Sequence, residues 1–374
     1  MRKQLLLSLI CASLLLSCKT KTGSGPMVIQ SRDIDYKDLS ADVIPATPLM
    51  EIPGVLHVVV HDSLLIFVTS DPEGMVKVYN KRTLQPIASF CTQGRAANEF
   101  QGMIYNYNVQ KYQRNGDLIL PLEDIGSSME RELNVSASLR EGHTVIEGSA
   151  QRGMYTQHIL LDNNLDRTFT LFEPVEDLLR APGIMPMPVY AVTQNGQIVN
   201  EIPVFKEHLK SESTRHLNYF YGGQMLKHPD RNLVVMPMSS MDYILFFDLD
   251  HDRTYAVHQK GSPTAAEIYL YNDRDKNPKG GMGGPIHIPG TDMFMCECGS
   301  GKYTEQTLKE DRMGLELMFF DYDGNYKGGV KLDHNIMGYA YDPETKTLYT
   351  LDPVTEQVKT VQLGSGPFCT IFEK

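Results

Sequence analysis

The chain has 374 residues and a formal charge of −11, with 41% hydrophobic and 22% charged residues. That balance reads as globular rather than disordered, and the length allows a large core in two domains or one repeat fold. The 35 basic residues are scattered, which argues against nucleic acid as a partner, since that demands a concentrated positive face.

Arg2 and Lys3 precede an apolar run from Leu5 to Leu16. A run of about 12 residues is too short to span a bilayer, which takes roughly 20. Leu15-Leu16-Ser17-Cys18 resembles a bacterial lipobox, so residues 1–17 are expected to be a signal peptide and Cys18 the site of lipid attachment. Losing Arg2 and Lys3 takes the mature charge from −11 to about −13. Acyl chains, rather than a basic patch, should therefore hold the protein to the membrane. Residues 18–26 form the lipidated cysteine and a tether (Lys19-Thr20-Lys21-Thr22-Gly23-Ser24-Gly25-Pro26), and the folded domain is expected over 27–374. By analogy with other lipoproteins, Lys19 in place of Asp and the lack of an acidic run suggest the periplasmic face of an outer membrane.

From there the pattern is strand, turn, strand. Leu64–Thr69, Met75–Tyr79, Asp117–Pro121, Gln197–Val204, Leu233–Pro237, Tyr243–Asp248, Glu316–Asp321 and Thr347–Leu351 are short apolar runs. Asp71-Pro72, Asn115-Gly116, Asn195-Gly196 and Asp323-Gly324 supply turns. Helical periodicity is confined to Pro174–Arg180 and Glu305–Asp311. Such a series of short strands implies an all-β propeller or sandwich.

An internal repeat favours the propeller. A shift of 168 positions aligns His61–Asn80 with Pro229–Asp248 without a gap, and Leu317–Asp321 gives a third copy of the outer strand. Three blades of about 56 residues span that shift, so the domain predicts a six-bladed β-propeller. Expected blades centre on 55–100, 104–172, 184–220, 221–268, 283–332 and 336–363, with 27–50 adding a strand that closes the ring.

A lipobox followed by six blades resembles the TolB-like six-bladed β-propeller lipoproteins of gut-type Gram-negative bacteria. The local match is Gly94-Arg95-Ala96-Ala97-Asn98-Glu99-Phe100, a glycine, small residues, then Glu and an aromatic after a blade's outer strand. The family usually has a second glycine and a proline where this chain has Ala96-Ala97. The resemblance implies fold and envelope location and lends no catalytic residues.

Several constellations have both chemical and structural readings. Glu99, and Glu267 in the matching loop 168 residues on, could bind a ligand or could hold the crossing between two blades by accepting backbone N–H groups. His57 and His61 suit a shared metal on a helix but stand about 13 Å apart on a strand, which Val58-Val59-Val60 favours. Asp321–Asn325 and Asp248–Asp252 begin like calcium loops but lack the required glycine and closing glutamate, so hairpin turns fit better. Gly280-Gly281-Met282-Gly283-Gly284-Pro285 reads as an interblade loop that could rim a ligand opening. Cys91, Cys296, Cys298 and Cys369 are too few for a disulfide framework. Cys296 and Cys298 are read as buried small side chains ahead of a bridge or a metal pair.

Tyrosines recur where inner strands should begin and so should line the central channel. Tyr105, Tyr107, Asn108, Tyr221, Tyr269, Tyr339 and Tyr341 are the candidate ligand-binding residues, although tyrosine also simply suits half-buried strands. No catalytic residue, metal ligand or cofactor is assigned. The expected function is a lipid-anchored binding or scaffold module for an envelope protein, glycan or peptide. The alternative is a metal-dependent propeller hydrolase, lactonase-like or lyase-like, which requires three or more inward Asp, Glu, Asn or His groups around one point.

Overall fold

Asn115-Gly116 and Asn195-Gly196 show how the chain builds its sheets. Both residues of each pair have positive φ (52° and 86°; 51° and 75°), the paired left-handed conformation that a two-residue hairpin needs. Asparagine and glycine reach it at little cost. In this computed structural model, residues 27–35, 43–105, 108, 110–151, 155–172, 189–206, 221–239, 241–265, 267, 282–299, 315–336, 338–352 and 355–363 are described. They form six small sheets, antiparallel except for two added edge strands.

Three short strands come first: β1 (Gln30–Ile34), β2 (Val43–Ile44) and β3 (Thr47–Glu51). Blade 1 is β4 (Val55–His61), β5 (Leu64–Thr69), β6 (Val76–Asn80) and β7 (Pro86–Phe90). Blade 2 has a broken inner strand, β8 (Ile104–Tyr105) and β9 (Tyr112–Arg114), against β10 (Asp117–Asp124), then β11 (Met129–Asn134) and β12 (Ile146–Gln151). Blade 3 is β13 (Tyr155–Leu160), β14 (Arg167–Phe172), β15 (Val189–Gln194) and β16 (Gln197–Ile202). Blade 4 is β17 (Leu226–Lys227), β18 (Leu233–Pro237), β19 (Tyr243–Asp248) and β20 (Arg253–Gln259). Blade 5 is β21 (Met282–Ile288), β22 (Met293–Gly299), β23 (Leu315–Asp321) and β24 (Tyr326–Leu332). Blade 6 is β25 (Gly338–Asp342), β26 (Thr347–Asp352) and β27 (Gln357–Gln362), completed by β3 from the other end of the chain.

Apolar clusters join each blade to the next and close the circle. Val59, Phe100 and Leu120 pack between blades 1 and 2, and Phe169, Tyr190 and Phe247 between 3 and 4. Val235, Phe294 and Phe320 fill the joint between 4 and 5, and Phe319, Tyr339 and Leu348 that between 5 and 6. Val58, Phe67 and Leu351 join 6 to 1. Among the described residues, blades 2 and 3 share a small cluster of Tyr112, Ile119 and Leu160.

The N-terminal segment does more than the single closing strand expected. Val28 donates its N–H to Val204 at the end of blade 3, β1 lies parallel to β20, β2 parallel to β24, and β3 antiparallel to β27. It therefore covers the outer edges of four successive blades, which would otherwise expose unpaired backbone groups.

The 168-residue repeat is three blades: β5 and β6 correspond to β18 and β19. Four expectations need correction. The repeated apolar strand is the third of its blade rather than the outer one, since β7, β20 and β24 lie outside it. The border between blades 2 and 3 falls between Gln151 and Tyr155, so Tyr155–Phe172 belongs to blade 3. An unexpected helix, α1 (Val135–Glu141), lengthens blade 2 ahead of its last strand. Asn134 caps α1 by accepting the Ala137 N–H at 2.7 Å, and Gly142 ends it at φ 73°. The two helices expected from periodicity lie outside the described residues. Lastly, Met282-Gly283-Gly284-Pro285 is not a loop but the start of the inner strand β21, bulged between Gly283 and Ile286. Among the described residues no helix is long and apolar enough to cross a membrane.

Candidate functional site

The inner strands leave an axial cavity of about 450 Å³ that all six blades line. Val59 and Val60 come from β4, and Asn108, Gln110, Lys111, Tyr112 and Gln113 from the broken inner strand of blade 2. Ile159, Leu160 and Asn163 come from blade 3, and Leu226, Lys227, His228 and Pro229 from blade 4. Blade 5 adds Pro285, Ile286, His287 and Pro289, and blade 6 adds Tyr339, Ala340 and Tyr341. Gln113, Asn163, Pro229 and Pro289 are exposed and flank the first hairpin of their blades, so the mouth opens on that face.

The lining is apolar walls with a few polar heads, and among the described residues none of it is Asp or Glu. Lys111 donates to the Val60 carbonyl, and Lys227 donates to the His228 carbonyl at 2.9 Å. Water reaches Lys111, yet protein atoms crowd it on most sides, and this burial pulls its ammonium down to about 8. Burial also lowers Lys227. His228 accepts the Asp230 and Arg231 N–H groups on Nδ1 (3.0 and 3.1 Å), so its proton sits on Nε2, 2.9 Å from Asp292. His287 lies beside it, lowered by burial and by the proximity of His228. The Tyr322 hydroxyl lies 3.0 Å from His287 Nδ1 and shares a hydrogen bond with it.

Two of these lining amides are structural. Asn108 donates to the His158 carbonyl and accepts the Met225 N–H at 2.8 Å, spanning blades 3 and 4 from blade 2. Gln110 pairs with the Leu160 backbone in both directions, at 2.9 and 3.0 Å, as a strand neighbour would. Together they bridge the joint where the described residues show the least apolar packing. A small cleft beside them is lined by Tyr105, Pro121, Glu123, Glu130 and His158, with His158 Nε2 2.7 Å from Glu130.

Of the candidates expected from sequence, Asn108, Tyr339 and Tyr341 line the cavity and Tyr105 lines the side cleft. The Tyr339 hydroxyl already donates to the Gly284 carbonyl. Tyr221 faces the core instead: it is 2% exposed, packs on Phe205 and accepts the Tyr190 hydroxyl on its carbonyl at 2.5 Å. Tyr107, Tyr269 and Cys18 lie outside the described residues. The cavity is set mainly by the later residues of the inner strands and by their exits, with Tyr339 near the start of β25 an exception. Lys111, Lys227, His228 and His287 were therefore missed, although each is a cationic or titratable residue placed within or just after an apolar inner run.

The other constellations resolve structurally. Glu99 Oε2 accepts the Ala96 N–H at 2.8 Å and Glu267 Oε2 accepts the Thr264 N–H at 2.7 Å, so both hold blade crossings. That hydrogen bond to Thr264 draws the Glu267 carboxyl below its usual range. The backbone of the first loop is also gripped by Arg131, which donates to the Ala97 and Glu99 carbonyls and lies over the Phe100 ring. His57 and His61 share strand β4, Asp321 and Asp248 end β23 and β19 at hairpins, and Cys91, Cys296 and Cys298 are buried thiols. Among the described residues no three His, Cys, Asp or Glu side chains converge on a point that could hold a metal.

No family model and no curated protein matches the chain. Solved structures do. A member of the DUF4221 family from Bacteroides vulgatus is similar with a TM-score of 0.55 and 11% identity, over 87% of this chain and 97% of that one. The β-propeller domain of Cps50 (Swd1) from Myceliophteria thermophila gives 0.44 and 9%, over 85% and 98%. At such identities the likeness is one of fold.

Proposed function

We propose that this protein is a lipid-anchored binding module of the bacterial envelope whose ligand site is the axial cavity. The observation that carries the binding half is the cavity itself: about 450 Å³, lined from six blades, apolar with a few polar heads. Sites for small organic ligands have this make-up and run roughly 300–1,000 Å³. The ligand would be a small molecule, or one residue of a glycan or peptide, seated between Lys111, Lys227, His287 and Tyr341. The envelope half rests on the lipobox, with Cys18 acylated and the tether placing the propeller on the periplasmic side of an outer membrane. Membership of the TolB-like propeller lipoproteins rests on that lipobox, the six blades and the loop ending in Glu99-Phe100.

Two measurements test the two halves. Thermal melts against a library of small polar organic compounds should give concentration-dependent stabilisation by at least one chemotype, diminished by Lys227→Met. A library that leaves the melt unmoved contradicts the binding half. Metabolic labelling with an alkyne fatty acid should mark the wild type and not Cys18→Ser; equal labelling of both, or of neither, contradicts the anchor.

A further inference from the structure

The cavity's charge is at odds with the molecule's. Among the described residues, a chain of net −11 places no carboxylate in the lining of its axial cavity, yet places two lysines and two histidines there. Three half-buried lysines elsewhere meet acids directly: Lys77 with Asp71 at 2.7 Å, Lys81 with Asp342 at 2.8 Å, Lys359 with Asp352 at 2.6 Å. Lys111 and Lys227 do not. Each ammonium is held by a backbone carbonyl and forms no ion pair among the described residues. The nearest carboxylates that act on them, Asp62 and Asp342 for Lys111 and Asp162, Asp230 and Asp250 for Lys227, stand outside the lining.

Holding an ammonium against a protein wall without a counter-charge is unfavourable, and an anion arriving from solvent removes that penalty. The apolar walls of Val59, Val60, Ile159, Leu226 and Ile286 favour a ligand with a hydrocarbon body. We propose that the cavity selects an amphiphilic organic anion, a carboxylate, sulfonate or phosphate on an apolar body, with Lys111 and Lys227 binding the charged head. This rests on the cavity being a ligand site, as proposed above, and names the ligand's class.

The test uses two fluorescent probes that share one aromatic body. 1-Anilinonaphthalene-8-sulfonate carries a sulfonate, and N-phenyl-1-naphthylamine is the same skeleton without it. Titrated into the purified protein, the sulfonate should bind about tenfold or more tighter than the neutral probe. Lys111→Met and Lys227→Met should each weaken the sulfonate several-fold and leave the neutral probe unchanged, while Lys111→Arg and Lys227→Arg, which keep the charge, should restore it. Melting curves identify any variant that has lost the fold, and the wild-type probe ratio stands without the variants. Equal binding of the two probes overturns the anion class and leaves the cavity as a binding site. Binding of neither overturns the site itself, and this inference with it. Sulfonate binding unchanged by either lysine variant overturns the assignment of the charged head.

Discussion

Lys81 closes the ring electrostatically where β3 closes it by hydrogen bonding. It follows β6 of blade 1, and its ammonium lies 2.8 Å from Asp342 at the end of β25 in blade 6 and 3.1 Å from the exposed Glu344. The Lys81 and Asp342 side chains are 9% and 3% exposed. Burial works against the charge on Lys81, but the hydrogen bonds to Asp342 and Glu344 outweigh it and raise the lysine overall. Removing one member of a buried pair strands the other, at about 3–5 kcal/mol. Here Thr345 still donates to Asp342 at 2.7 Å and the Glu344 N–H at 3.2 Å, so the lower end applies to Lys81→Met. With an unfolding entropy of about 2.1 cal/mol/K per residue over some 340 residues, 3 kcal/mol corresponds to about 4 °C in Tm. Urea and thermal melts of Lys81→Met, Asp342→Asn and the double variant should show each single change destabilising and the double well short of their sum, a coupling of about 1–3 kcal/mol. Additivity within about 0.5 kcal/mol, or a Lys81→Met melt unmoved from wild type, refutes the pairing of blades 1 and 6 through these side chains.

Other outcomes follow from single sites. A Cβ on Gly94 would stand 1.9 Å from Glu99 Oε2, so Gly94→Ala should cost about 1–2 kcal/mol, and Gly94→Ala with Glu99→Ala should be no worse than Glu99→Ala alone by urea melts. Burial raises Glu297 to about 7, so the native state keeps a proton that the unfolded chain releases near 4.5. Stability should fall as pH rises between those values, and Glu297→Gln should gain about 2–3 kcal/mol at pH 8 and almost nothing at pH 4; a gain at both pH values contradicts this. Burial lowers His57 to about 4, and its Nε2 is buried without a hydrogen bond. The unfolded chain then takes up the proton first, so stability is lost as pH falls from 6.5 towards 4. His57→Phe should flatten that loss by roughly 2–3 kcal/mol in pH-dependent melts, and equal slopes contradict it.

The ring was legible because its signals are local and repeated. Asn-Gly hairpins at 115 and 195 declare their conformation in two residues, and burial on both faces makes continuous apolar runs such as Leu233–Pro237 recognisable three blades apart. Blade borders were hidden where an insertion broke the rhythm: α1 carries only seven residues, too few for periodicity to reveal, and it displaced the apparent edge of blade 2. The glycine-rich stretch misled because Gly283 and Gly284 suit a loop in isolation, whereas in the sheet Gly284 (φ 54°) sits where a Cβ would meet Glu297 and Tyr339 at 2.8 and 3.0 Å. The cavity was half legible. Tyr339 and Tyr341 carry a pattern, but whether Lys111 and Lys227 face the axis depends on the break in the inner strand of blade 2 and on contacts more than a hundred residues apart, such as Asn108 with Met225.

The claim that the axial cavity is the working site meets its most direct test in crystals soaked with a mixed set of small polar and anionic fragments. Bound fragments should concentrate between the inner strands, within hydrogen-bonding distance of Lys111, Lys227, His287 or Tyr341. Fragments that settle instead in grooves on the outer blades, with the axis empty, would contradict it.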